Sequence, residues 1–322
     1  MKKIFLAVVA LAAMTACSND EFVSVDRAPI NFGNAFVDNA TRAADLTYGA
    51  VALTSFNVYG TVTGNVGSVL LFDGDNVDVK NGVWNYVDND TKEEYWIVDA
   101  AYNFAAVVGA TAAPANAMPT TLKPMADTNM NLKDMLYAEE SVEKATANQG
   151  TVEFTFEHLL SKVQFTVTSN AKGDYSHSIT DITVENFATG TYTIGGDANK
   201  DGKDDGTWVG ATPTDIKFGN IEDVKADSKE TVGSTTTPGK TNVTQKLLIP
   251  TTQAFDVKFT VEVWKNGTKI SSEPKTVTVT GKPLVKGNAY NFTIECKLNS
   301  PIKFSVDDDL NWDNGGNVPV LQ

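Results

Sequence analysis

The sequence predicts an all-β protein of two tandem antiparallel β-sandwich domains with at most one or two short helices, and three observations carry that expectation. Short runs rich in Val, Thr, Phe and Tyr alternate apolar and polar residues from about residue 28 onward. Gly, Asn, Asp and Pro punctuate these runs at a spacing of roughly 8–12 residues, the rhythm of a sandwich or barrel. Helical periodicity is scarce.

The alternation is plainest where Val163, Phe165 and Val167 share one face and Lys162, Gln164 and Thr166 take the other. Successive side chains of a strand point to opposite sides, so such a run buries one face. Comparable runs occupy residues 56–59, 69–72, 152–156, 179–184, 258–264, 276–280 and 289–294. Lys265-Asn266-Gly267-Thr268 predicts a hairpin, because Asn-Gly accepts the positive φ of its turn. Residues 131–144 hold Leu132, Met135 and Leu136 at helical spacing, which predicts a short helix. Residues 110–121 (Ala, Pro and Thr) and 228–241 (Ser, Thr, Pro and Gly) read as long loops. A boundary near Asn148-Gln149-Gly150 divides an N-terminal domain, 43–148, from a C-terminal one, 149–322.

Trp84, Tyr86, Tyr95 and Trp96 cluster within one stretch. Large aromatics in alternating strands are usually core, and a platform for stacking sugars is the other reading. Hydrophobic residues make up 42% of the chain and charged ones 20%, which supports a packed core and excludes global disorder. The net charge of −14 repels nucleic acid and anionic membrane surfaces, so neither is expected as a partner.

Catalytic material is thin. His158 and His177 are the only two histidines. No G-x-S-x-G, P-loop, H-E-x-x-H or C-x-x-C pattern occurs, and no pair of acids stands out for glycoside hydrolysis. No enzyme activity and no cofactor are expected, with one reservation for calcium. Asp197, Asn199, Asp201 and Asp205 fall at the oxygen-ligand positions of a calcium loop, with Gly202 at the sharp turn. Trp208 stands where a bidentate Glu belongs, so an acidic, Gly-rich hairpin loop is the competing reading.

The N-terminus carries Lys2 and Lys3, an apolar run over 4–13 that is too short to span a bilayer, and Thr15-Ala16-Cys17. This reads as a lipoprotein signal peptide over 1–16, with Cys17 lipidated and tied to the outer membrane. An ordinary secretory signal with an incidental cysteine is the alternative. Lipidation of Cys17 would leave only Cys296, which alternates with Ile294 and Leu298 and is expected to be a buried thiol.

Several motifs occur in a telling order. They are Tyr95-Trp96, then Tyr102-Asn103-Phe104-Ala105-Ala106, then Asp134-Met135-Leu136-Tyr137-Ala138. Phe154-Thr155-Phe156-Glu157-His158-Leu159-Leu160-Ser161-Lys162-Val163 follows, then Leu248-Ile249-Pro250 and Gly287-Asn288-Ala289-Tyr290-Asn291-Phe292. This series resembles the Bacteroidales fimbrillin family (Mfa-like, type V pilin subunits). Ser18-Asn19-Asp20-Glu21 likewise resembles the surface-export signal of lipoproteins in the Bacteroidetes.

The resemblance implies two transthyretin-like sandwiches, export as a lipoprotein to the cell surface, and incorporation into a fimbria that serves cell adhesion. It also implies that an Arg-specific, trypsin-like protease cuts in the leader segment. That cut removes an N-terminal strand and opens a groove, which a strand from a neighbouring pilus subunit fills.

The residues fit these expectations. Ile30 and Phe32 alternate in a short candidate plug strand within a leader segment spanning 17–42. Arg42-Ala43 follows in a polar, small-residue stretch open to a protease. Arg27, the only other arginine, precedes the strand, so a cut there would not release it. In the tail, Ile302, Phe304 and Val306 share a face and Leu310 and Trp312 follow. Extended at roughly 3.3 Å per residue, 301–322 spans about 70 Å, long enough to line a groove on a second molecule as a donor strand. The tail could equally close its own domain. The expected role is a shaft subunit, in a homopolymer or heteropolymer. A tip adhesin, or a monomeric surface lipoprotein that binds a host or glycan ligand, is the alternative.

Overall fold

The computed structural model describes residues 28–37, 47–48, 51–64, 67–86, 93–126, 131–198, 203–211, 213–226, 229–231 and 246–310. They form strands, turns and connections, with no helix among the described residues.

In the first half the strands are β1 (Phe32–Val37), β2 (Thr47–Tyr48), β3 (Val51–Ala52), β4 (Ser55–Gly64), β5 (Gly67–Lys80) and β6 (Val83–Asn85). They continue as β7 (Ala101–Val108), β8 (Ala110–Ala113), β9 (Thr121–Pro124), β10 (Leu136–Val142) and β11 (Val152–His158). The second half holds β12 (Ser161–Ser169), β13 (Tyr175–Phe187), β14 (Gly190–Thr193), β15 (Thr207–Gly210) and β16 (Pro213–Val224). It ends with β17 (Lys229–Thr231), β18 (Lys246–Leu248), β19 (Phe255–Lys265), β20 (Thr268–Val279), β21 (Ala289–Cys296) and β22 (Lys303–Leu310).

A seven-stranded sheet in the order β1-β11-β10-β7-β4-β5-β6 wraps the first core. It curls far enough for β6 to come back against β1. Phe56, Val58 and Val62 of β4 point inward at period two, while their neighbours face outward. Gly60 lies on the inward face because a Cβ there would stand 2.8 Å from the Phe72 ring and 2.9 Å from the Phe104 ring. Only glycine lets those aromatics close over the strand.

The second core lies between two sheets, β16-β13-β19-β20 and β17-β12-β21-β22, with β18 also paired to β12. Phe165 meets Phe218 edge-on across that core, with ring centroids 5.0 Å apart. A further sheet, β15-β14-β9-β8, takes two strands from each half of the chain. Beneath it a third core gathers Leu122, Tyr192, Leu159, Leu160 and Ile249. The cores pass from first to second between β11 and β12. Val152, Phe154 and Phe156, just beyond the expected boundary near Gln149, belong to the first core.

Two expected elements are corrected. Residues 136–142 form a strand, not a helix, because β10 pairs with β7 along its whole length, from Leu136 opposite Val108 to Val142 opposite Tyr102. The helical spacing of Leu132, Met135 and Leu136 marks the entry to that strand. The expected loop over 110–121 contains β8 and leads into β9, which close a hairpin with Ala112 opposite Leu122. In the second predicted loop, residues 229–231 form β17, and its residues 228 and 232–241 lie outside the described residues.

Tyr86 and Trp96 are buried in the first core, which removes these two as a sugar platform, while Trp84 is half-buried against that core and Tyr95 is exposed. The Asn266-Gly267 turn joins β19 to β20 with φ of 48° and 73°, as its sequence predicts. Cys296 is buried, and desolvation pushes its thiol up to about 12.

Candidate functional site

The segment leading into β1 is held on both flanks. On one side the Trp96 amide donates to the Ala28 carbonyl at 3.0 Å, and the Ile30 amide donates to the Glu94 carbonyl at 2.8 Å. On the other, the Val152 amide donates to the Asn31 carbonyl at 2.8 Å. β1 then runs parallel to β11, with Phe32 opposite Val152 and Val37 opposite Phe156. The segment fills a gap between residues 94–96 and β11.

Its alternation aims Ile30, Phe32 and Ala35 into the first core, where Ile30 and Ala35 are fully buried. Phe32 packs edge-on against Phe56, Phe72, Tyr86 and Phe104 and stacks on Phe154. Burying Ile30 and Phe32 contributes about 3–6 kcal/mol together. Losing the strand would leave an aromatic-floored cleft and a row of unpaired backbone groups on β11. Cys17, Arg42 and Ala43 lie outside the described residues.

The tail is seated differently. β22 pairs antiparallel with β21, from Lys303 opposite Glu295 to Leu310 opposite Ala289, and ends its sheet among the described residues. Ile302, Phe304 and Val306 alternate and pack against the second core, but each is only half-buried. Phe304 stacks on Phe259 with centroids 6.5 Å apart. Residues 303–310 therefore close their own domain here, and Trp312 lies outside the described residues.

The acidic loop centres on a residue that the sequence reading did not single out. Asp197 and Asp205 are exposed, and Asn199 and Asp201 lie outside the described residues. Asp204 is buried and accepts from the Tyr192 hydroxyl at 2.5 Å and the Gly195, Gly196 and Gly206 amides at 3.0, 2.6 and 2.8 Å. Its own amide donates to Glu157 Oε1 at 2.7 Å, and Lys286 Nζ donates to Glu157 Oε2 at 2.6 Å. Burial pushes the Glu157 carboxyl above its usual range, and the Lys286 ammonium pulls it part of the way back. This network ties the loop to β11. Among the described residues, no group of three or more His, Cys, Asp and Glu side chains is placed to hold a metal. The sequence signal for the network was Glu157, which sits inside the Phe-Glu-His motif.

That motif works as a joint. Phe154 and Phe156 enter the first core, and Leu159 and Leu160 enter the third. His158 Nδ1 lies 2.8 Å from Asp134 Oδ2, with both side chains buried, so two separate sequence motifs meet in one pair. Ser161 Oγ donates to the Val285 carbonyl at 2.8 Å.

The family described as fimbrillin-like matches residues 41–307. The chain belongs to the fimbrillin-like family. As a member it is a pilus-type or adhesion protein, structural and not an enzyme. Among solved structures, this fimbrillin-like chain resembles a fimbrial protein from Bacteroides vulgatus at 16% identity, covering 88% of this chain and 99% of that one with a TM-score of 0.55. A fimbrial assembly protein from Parabacteroides distasonis matches at 14% identity over 79% of this chain and 88% of that one, with a TM-score of 0.41. The first likeness shows a shared fold. A search of curated proteins finds no match.

Proposed function

We propose that this fimbrillin-like chain is a pilus shaft subunit, exported as a lipoprotein through Cys17, cut after Arg42, and joined to other subunits by strand exchange. The observation that carries this reading is the seating of β1. Its lead-in, residues 28–31, is bonded on both flanks, β1 itself is the edge strand beside β11, and together they bury Ile30, Phe32 and Ala35 in an aromatic core. A cut after Arg42 separates β1 from every later strand. The strand can then leave without disturbing any other connection, and β11 and residues 94–96 become two free edges above an apolar cleft.

The region that supplies the incoming strand is 301–322. β22 ends its sheet and its inward side chains are half-buried, so it leaves its own domain at lower cost than β1 leaves its core. Ile302, Phe304 and Val306 repeat the alternation of Ile30 and Phe32. The protease is Arg-specific in this reading, since the chain offers it only Arg27 and Arg42.

The test is the N-terminal residue of the protein taken from the cell surface. Ala43 in the polymer, and loss of polymer in Arg42→Ala, are the expected results. Polymers that retain a lipidated Cys17 would overturn the shaft assignment.

A further inference from the structure

The outer face of the sheet β16-β13-β19-β20 carries a trough with no part in strand exchange. Register explains its shape. Ser176 stands opposite Trp264, and Ser178 opposite Glu262, on adjacent strands. On the far side of β13, Val224 stands opposite His177, which brings Asp223 and Lys225 of the adjoining segment alongside the serines. On the far side of β19, Lys269 stands opposite Trp264. Small side chains at the centre of a sheet face, flanked by long ones, leave a channel. Asp174, Asn266 and Gly267 raise its lip, and its volume is about 480 Å3, within the roughly 300–1,000 Å3 of ligand sites.

The floor is polar and built. Ser176, Ser178 and Glu262 are 7%, 5% and 7% exposed. Ser178 Oγ accepts from the Asp223 amide at 3.2 Å. Glu262 is held by the Trp264 indole at 3.1 Å and the Lys269 ammonium at 2.8 Å. Among the described residues, the Ser176 hydroxyl, on a side chain lining the trough, meets no hydrogen-bond partner. The hydroxyl is not sealed from solvent, so it is free to donate to or accept from a polar group that enters the trough.

Charge excludes an anionic ligand. Glu262 is matched by Lys269, and Asp223 by Lys225 at 3.9 Å, while Asp174 and Glu222 leave the rim acidic and rich in acceptors. Acceptor carboxylates, hydroxyls and an amide around one half-buried indole suit a molecule with many hydroxyl groups and a flat C–H face. We infer that this trough binds a neutral carbohydrate, with Trp264 stacking on a sugar ring and Ser176 bonding one of its hydroxyls.

The inference is independent of the strand-exchange reading, because the trough and the β1 cleft lie on different sheets. The test applies the purified full chain to an array of neutral glucose-, galactose-, mannose- and N-acetylhexosamine-terminated oligosaccharides. Trp264→Ala and Ser176→Tyr, which fills the floor from the solvent face, are run beside it. Binding that falls at least about tenfold in both variants, with unchanged far-ultraviolet circular dichroism and a cooperative unfolding transition, is the expected result. No binding across the array overturns the proposal. Binding that survives both variants also overturns it, as does capture of a lysine-rich peptide in place of any glycan.

Discussion

Phe32 of β1 stacks on Phe154 of β11 with ring centroids 6.0 Å apart and an interplanar angle of 18°. One ring belongs to the segment that Arg42 cleavage would remove, the other to the strand that would be left bare. Phe32→Ala should therefore cost the uncleaved chain about 3–5 kcal/mol, as for other buried Phe truncations. It should cost nothing once cleavage has occurred. Denaturant titration of both forms checks this, and equal losses before and after cleavage would contradict the proposed release of β1.

Deleting 301–322 should leave a folded chain. Three half-buried apolar side chains contribute about 2–4 kcal/mol, less than the removal of β1 from the first core. The truncated chain should keep its circular dichroism spectrum with a lower unfolding midpoint and should form no ladders of oligomers. Normal ladders would show that the incoming strand comes from elsewhere.

Lys286→Met should destabilise the chain in a pH-dependent way. It leaves Glu157 buried without its cation, at a cost of about 2–3 kcal/mol near pH 8. That is below the roughly 3–5 kcal/mol of a fully buried pair, because the Lys286 side chain is 23% exposed. Burial already raises the folded-state value of Glu157 above 4.5, and removing Lys286 raises it further. A raised carboxyl favours the fold fully below its unfolded value and loses that contribution as pH rises through the folded one. The deficit should therefore shrink from pH 8 towards pH 5. His177 acts oppositely, since burial lowers its value and the fold loses stability as pH falls below about 6.5. The difference between variant and parent cancels the His177 contribution. A deficit that stayed flat with pH would mean Glu157 is not the titrating group.

Asp204→Asn should loosen the acidic loop. The new amide nitrogen would face backbone N–H groups that now donate to a carboxylate, at about 1–3 kcal/mol for each donor left unmet. Because Asp204 already holds the loop, calorimetry at millimolar Ca2+ should register no heat. Heat that disappears in Asp197→Asn would instead assign the loop to calcium.

The sequence disclosed the strands wherever burial follows period two. Val163, Phe165 and Val167 all face the second core. The opposite face misled, because Lys162 and Thr166 are buried too, with Thr166 Oγ1 donating to Asn291 Oδ1 at 2.7 Å. β12 is flanked by β21 and by β17 and β18, and local alternation cannot reveal that its second face is also covered. β10 was missed because three apolar residues can match helical spacing by chance, while its true determinant, β7, is remote in sequence. β1 was visible in Phe32 and its lead-in Ile30, yet its parallel partner was not, since parallel pairing leaves no hairpin signal. Asp204 escaped notice because its role depends on the Gly195, Gly196 and Gly206 amides folding around it.

The pairing of Phe32 with Val152 has a consequence for biogenesis. β1 is the first of the described strands to leave the ribosome, and it has no sheet partner until β11 is made, long after it. Contacts so distant in sequence form late, because loop closure must precede them. Under the proposed export, a translocon that threads unfolded polypeptide would therefore receive β1 before its sheet partner exists, and the first core could shut only after β11 had followed it across the membrane.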